Sequence, residues 1–234
     1  MKKVFLAFYV LLATVAASLL SSCQSTAAIT AYSYSNHTEY LETDIAYPVF
    51  TGYDELNTSI STYVDELHHS WTANAATDWR ELDALRKRYT PDITTPPFEF
   101  KTGSDAPLVS KRYISLLLRS WVNNGGAHGN TLLKAFTYDK KAGVCIAPTE
   151  LGISYAALSA ACRKRLIAAI PADSNRAERQ RWIESGTEPT ESALGAFTYD
   201  GETLTVYFAP YQVAPYSDGV LQVAIPVTEL RASQ

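Results

Sequence analysis

The chain holds four histidines, His37, His68, His69 and His128, and one of them sits in an unusual setting. "NNGGAHGN", Asn123 to Asn130, places His128 among Gly125, Gly126 and Gly129. An imidazole can act as a general base, a metal ligand or a hydrogen-bonding peg. Metal chemistry wants several ligands at workable spacing, and neither HExxH nor a paired CxxC occurs. His68 and His69 are adjacent, so on a helix they face different directions. Acyl transfer wants a nucleophile, a base and an oxyanion donor together. GxSxG is absent, and Cys145 and Cys162 have no histidine near them in sequence. There is no GxGxxG and no phosphate-binding loop. The 24 acidic residues supply carboxylates without singling out a pair. No catalytic set, metal or cofactor is expected. Three roles for His128 stay open: pinning a turn, touching a ligand, or working in a catalytic site.

The second stretch of interest is "YFAPYQVAPYSDG". Tyr207, Phe208, Tyr211 and Tyr216 are interleaved there with Pro210 and Pro215. Tyrosine offers apolar area with few rotors and one polar tip, which suits a recognition surface. Proline stiffens the segment and lowers the cost of ordering it on binding. The same residues could instead cover a sheet edge and belong to the core.

Elements must bring these two stretches into place. Tyr40 to Phe50 reads as a strand. Tyr53 to Tyr89 reads as helix, with Leu56, Ile60, Tyr63, Leu67 and Trp71 on one face and a break at Asn74 to Asp78. Asp78 with Glu81 has the spacing of an N-cap and its acidic partner. Leu82, Leu85 and Tyr89 would continue an apolar face. Pro91, Pro96 and Pro97 stop the helix. "KRYISLLLRSWV" and "TLLKAFTYD" alternate as strands, and "NNGGAHGN" falls between them, where a hairpin connection belongs. Glycine and asparagine supply positive φ there. "VCIA" is a short strand. Ser154 can cap a helix to Ile170 whose face is Leu158, Cys162, Leu166 and Ile170. A polar helix spans Arg176 to Glu184. "GAFTYDGETLTVYFAPY" is a hairpin turning at Asp200-Gly201, and "VLQVAIPV" is the last strand. This order predicts an α+β fold with mainly antiparallel sheet and packed helices, in two small modules.

The first residues are read as an address, not as fold. Lys2 and Lys3 precede an uncharged apolar run from Val4 to Leu20, then "SSC" ends at Cys23. Leu20, Ser21, Ser22 and Cys23 resemble a bacterial lipobox, in which the cysteine is lipidated and becomes the first residue. The expected organisation is a signal peptide over 1–22 and a tether over 23–38, rich in Ser, Thr, Ala and Tyr. A small module would follow over 39–104 and a second over 105–234, divided at the proline-rich stretch from Pro91 to Pro107. Net charge is −4, and no basic patch dominates, which argues against nucleic acid. Cys145 and Cys162 would pair or stay as small buried side chains.

"GGAHGN" together with "YFAPYQVAPYSDGV…VAIPVTEL" resembles the extracytoplasmic domain of RsiV-like anti-sigma factors, which also precedes the catalytic domain of PdaC-type peptidoglycan deacetylases. "IAYPVFTGYDELNTSIS", Ile45 to Ser61, resembles the smaller domain before it. The resemblance spans about Tyr40 to Leu230. It implies an α+β domain pair outside the cytoplasm; in the anti-sigma members the pair binds lysozyme. A chain starting at Cys23 retains no segment to hold a sigma factor, and no deacetylase domain follows Leu230. What carries over is recognition of a lysozyme-like or other cell-wall protein, or of peptidoglycan, by an envelope lipoprotein held on a membrane through Cys23. By motif, the contact residues would be Gly126, His128, Tyr211, Pro215 and Tyr216. An envelope enzyme acting on peptidoglycan, with His128 in its site, is the alternative.

Overall fold

The computed structural model describes residues 28–172 and 175–232. The lipobox residues, Cys23 included, lie outside the described residues. So do the whole of the expected signal segment and the first part of the tether.

The larger sheet is built from β1 (Ile29–His37), β2 (Leu41–Phe50), β3 (Phe98–Ser104), β4 (Leu108–Val109), β5 (Tyr113–Asn123), β6 (Asn130–Asp139) and β7 (Val144–Cys145). Its order is β1-β2-β3-β5-β6-β7, with β4 added beside β5. The β2–β3 pair is parallel, because two helices, α1 (Asp54–Thr72) and α2 (Ala75–Tyr89), form the crossover between them. The other pairs are antiparallel. Leu56, Ile60 and Val64 of α1 pack on Ile45, Phe50, Phe100, Ile114, Leu116 and Leu118, forming one core on one face of the sheet.

The opposite face of β5 and β6 carries the second core. Its parts are a 3-10 turn (Pro148–Leu151), α3 (Tyr155–Ala168), α4 (Arg176–Gly186), α5 (Glu191–Leu194), β8 (Phe197–Tyr199), β9 (Thr203–Phe208), β10 (Leu221–Pro226) and α6 (Val227–Ala232). Ser154 caps α3 by accepting from the Ala157 amide at 3.2 Å. Asp200 Oδ1 accepts from the Glu202 and Thr203 amides and closes the β8–β9 turn, where Gly201 takes φ +115°. Leu158, Cys162, Leu166, Leu194, Phe197, Leu204, Val206, Phe208 and Ile225 fill the interior. The junction between the sheets is polar by design of the backbone. Ser115 Oγ donates to the Tyr199 carbonyl and accepts from its amide, both at 2.9 Å. Thr137 Oγ1 donates to the Phe197 carbonyl at 3.2 Å. These buried hydroxyls satisfy edge-strand groups that would otherwise be orphaned.

The fold is α+β and mainly antiparallel, as expected, and several details differ. Ile29–His37 is an edge strand paired in continuous register with β2 and exposed along its length, not a tether. An edge strand with both faces wet needs no apolar alternation, so its sequence gives no period. The larger sheet crosses residues 104–105: β3 and β5 flank that point and pair with each other, and the second core, Tyr113 of β5 apart, takes its buried residues from Leu151 onward. α2 begins at Ala75, ahead of Asp78. Its buried stripe is Ala75, Trp79 and partly Leu82, while Leu85 and Tyr89 are exposed. The Trp79 indole donates to the Pro96 carbonyl at 2.9 Å and fixes this register. The last strand stops at Pro226, and Val227 opens α6.

Candidate functional site

The β5–β6 connection carries "NNGGAHGN", and two of its glycines have a steric reason. Gly125 takes φ +75°, and a Cβ there would lie 2.4 Å from Leu82 Cδ2. A Cβ on Gly129 would lie 2.2 Å from Cζ2 of the Trp121 ring. Arg86 donates to the Gly125 carbonyl at 3.0 Å and ties the loop to α2. A Cβ on Gly126 would meet only the His128 carbonyl oxygen, at an ordinary 3.8 Å, and the residue is exposed with no positive φ.

The β9–β10 connection reaches the same place from the other module. Gln212 anchors it: Nε2 donates to the Gly186 and Ala193 carbonyls at 3.0 and 2.8 Å, and Oε1 accepts from the Ala209 amide. Val213 and Ala214 are buried behind it. Pro215 precedes a 3-10 turn (Tyr216–Asp218), and its carbonyl accepts from the Asp218 amide at 3.0 Å. Asp218 is paired with Arg179, which holds its carboxyl below the usual range.

His128, Tyr211 and Tyr216 therefore meet, though more than eighty residues of chain separate the histidine from the tyrosines. The His128 and Tyr216 rings stack at 4.1 Å between centroids, 26° from parallel. Tyr211 closes the group at 6.2 Å from His128 and 5.4 Å from Tyr216. One carbonyl organises it. Gly129 O lies 2.8 Å from His128 Nδ1 and accepts from the Tyr216 hydroxyl at 2.9 Å. A carbonyl only accepts, so Nδ1 carries the proton. In the neutral ring Nε2 then accepts from the Tyr211 hydroxyl, 3.3 Å away. Tyr211 is 53% exposed and is the non-glycine residue with positive φ, +71°, among those described. Left-handed backbone costs a side-chain-bearing residue about 1–2 kcal/mol, and such strain concentrates at functional sites.

Trp121 and the Gly129 carbonyl belong to this arrangement and were not marked by sequence pattern as site groups. The Trp121 ring is the surface on which Gly129 rests, and its indole donates to Glu99 Oε2 at 3.0 Å. Lys101, then Trp121 and Asn123, hold the Glu99 carboxyl below the usual range. A groove of about 510 Å³ beside Trp121 runs along the open sheet face past Lys101, Gly103 and Arg119. The three rings form an open platform carrying donors, acceptors and ring faces. No nucleophile or carboxylate hydrogen-bonds His128, and no cluster able to hold a metal occurs among the described residues. Cys145 and Cys162 are free thiols. Burial pushes Cys162 up to about 12 and raises Cys145 as well, so neither is poised as a nucleophile.

Two family models match the chain. Residues 34–131 match the one described as deacetylase PdaC, and residues 153–228 match one described as a protein of unknown function, DUF3298. A comparison with curated proteins found no match. Among solved structures, a DUF3298-family member from Bacteroides fragilis superposes with a TM-score of 0.63 at 19% identity, over 87% of this chain and 91% of its own. A DUF3298-family protein from Pseudomonas aeruginosa PAO1 gives 0.61 at 15%, over 87% and 92%. At these identities the likeness is one of fold.

Proposed function

We propose that this chain, which joins a PdaC module to a DUF3298 module in the RsiV-like arrangement, is a non-enzymatic recognition protein of the bacterial envelope. Its ligand is a lysozyme-like cell-wall protein or peptidoglycan itself, and Cys23 carries the lipid that holds it on a membrane. The observation that carries this reading is the His128–Tyr211–Tyr216 platform, with Tyr211 held outward in left-handed backbone. Aromatic side chains presented on a rigid loop supply contact area at low entropic cost. Strain at an exposed ring that contributes little to either core makes sense if presentation matters more than packing. His128 positions the rings through the Gly129 carbonyl instead of serving as a base.

The test is a pull-down of the chain against lysozyme and against purified peptidoglycan, with Tyr211→Ala and Tyr216→Ala beside the wild type. Capture of either ligand that falls roughly thirtyfold in affinity on losing a central aromatic supports the reading. Cleavage or deacetylation of a wall fragment that His128→Ala abolishes, with the melting temperature kept, refutes it in favour of an enzyme.

A further inference from the structure

We propose that β1 is an interface to a second copy of this chain, the two strands pairing antiparallel about a two-fold axis at Ser33 and joining the larger sheets into one. β1 ends the sheet order, and no strand pairs with its far side among the described residues. Its pairing with β2 shows which backbone groups are left over. The Thr51 amide donates to the Ala28 carbonyl at 2.9 Å, and the Thr38 amide donates to the Leu41 carbonyl at 2.8 Å. Hydrogen-bonded pairs alternate along an antiparallel ladder, so the even-numbered residues bond to β2. Ile29, Ala31, Ser33, Ser35 and His37 therefore point their amides and carbonyls outward.

An open sheet edge invites another strand, and monomeric proteins blunt such edges with short strands, prolines, bulges or charges. The other sheet ends follow that rule: β7 has two residues, β8 has three, and β10 ends in Pro226. β1 does not. It runs nine residues in unbroken register, holds no proline, lysine or carboxylate, and is exposed throughout. Its sequence also fits itself. An axis at Ser33 sets Ile29 against His37 of the second copy, Ala31 against Ser35, and Ser33 against its own equivalent. Every outward amide then meets an outward carbonyl, and shifting one strand by two residues leaves Ile29 or His37 unmatched. On the helix face Tyr32 meets Tyr34 of the second copy, once on each side of the axis, at the close spacing of non-hydrogen-bonded pairs. Both rings are already held from behind. Tyr32 stacks on Tyr47 at 4.7 Å between centroids, and Tyr34 lies edge-on to His68 at 6.4 Å. Each tyrosine is 41% exposed, and the seam covers them. No like charges meet, since His37 faces Ile29 and pairs with Asp44 of its own copy. The outward backbone groups suit any strand; the tyrosines matched on both sides of the axis single out a second copy.

The experiment is sedimentation velocity of the full chain in mild detergent over a concentration series. The wild type should pass from monomer to dimer as concentration rises. Ser33→Pro removes the outward donor of each strand, and with it two bonds at the axis, while the bonds to β2 stay; an edge strand tolerates proline where the amide faces outward. The dimer should weaken roughly tenfold to thirtyfold. Ser33→Lys sets two ammonium groups against each other and should also dissociate it. Ser33 is exposed, so both variants should melt like the diluted wild type. Cysteine substitution reads the register. Under mild oxidation Ser33→Cys should cross-link to its equivalent, whereas Ala31→Cys, facing Ser35 of the second copy, should stay uncross-linked like the wild type. Tyr211→Ala should leave the dimer intact, which separates this interface from the aromatic platform. A wild type that stays monomeric at every concentration, a dimer that both Ser33→Pro and Ser33→Lys leave unchanged, or cross-linking through Ala31→Cys in place of Ser33→Cys overturns the proposal.

Discussion

Tyr211 offers a test in which glycine and alanine should exchange their usual order. Elsewhere in a chain, glycine is less stable than alanine by about 0.5–1 kcal/mol because the unfolded state gains freedom. At φ +71° the alanine Cβ meets the following carbonyl, which costs about 1–2 kcal/mol. The two effects oppose, so Tyr211→Gly should be as stable as Tyr211→Ala or more stable, by about 0–1.5 kcal/mol. Both lose the ring. A tyrosine buries at least about 150–200 Å² when fully covered, and 53% of Tyr211 is exposed, so roughly 80 Å² is lost. At ~25 cal/mol per Å² that is about 2 kcal/mol as an upper bound. Urea unfolding at neutral pH reads both differences. If Tyr211→Gly is less stable than Tyr211→Ala by the ordinary glycine penalty, the backbone strain is not real and the argument for a presented ring loses its basis. A loss of about 4 kcal/mol in both would instead make Tyr211 a core residue.

The loop glycines should split. Gly129→Ala pushes on the Trp121 ring and should cost about 1–3 kcal/mol by denaturant unfolding, whereas Gly126→Ala should stay within about 0.5 kcal/mol. Asp139 accepts from Arg112 Nε and Nη2 and from the Lys141 amide, so Asp139→Asn should cost about 1.5–3 kcal/mol at pH 7. The Arg112 guanidinium first, and the backbone amides after it, lower the folded pKa of Asp139 below its unfolded value. This stability is therefore present above the unfolded pKa, near 4, and is lost as pH falls through the folded one. Urea midpoints of wild type and variant should converge in acid; a gap unchanged to pH 2 would refute the assignment. Native protein should label slowly with maleimide at Cys145, while Cys162 reacts only after unfolding; rapid native labelling of Cys162, read by mass spectrometry, would contradict its burial. Cys23→Ser should abolish incorporation of a palmitate analogue and release the protein from membranes, and unchanged labelling and retention would remove the anchor.

The helices and strands with a one-sided apolar pattern were legible from the chain. Leu56 and Ile60 of α1, Leu158, Cys162 and Leu166 of α3, and the Asp200-Gly201 hairpin follow from spacing and turn chemistry, because a buried face imposes a period. β1 escaped notice because a wet edge strand imposes none. The register of α2 was misread by three or four residues, since Trp79 is held by a carbonyl seventeen residues away and not by a local signal. The glycines of the β5–β6 loop announced a turn, but which of them were obligatory depended on Leu82 and Trp121 pressing against Gly125 and Gly129. Sequence supplied the residue types His128, Tyr211 and Tyr216. Only the tertiary structure placed the three rings on one carbonyl, because it alone brings the β5–β6 and β9–β10 loops together.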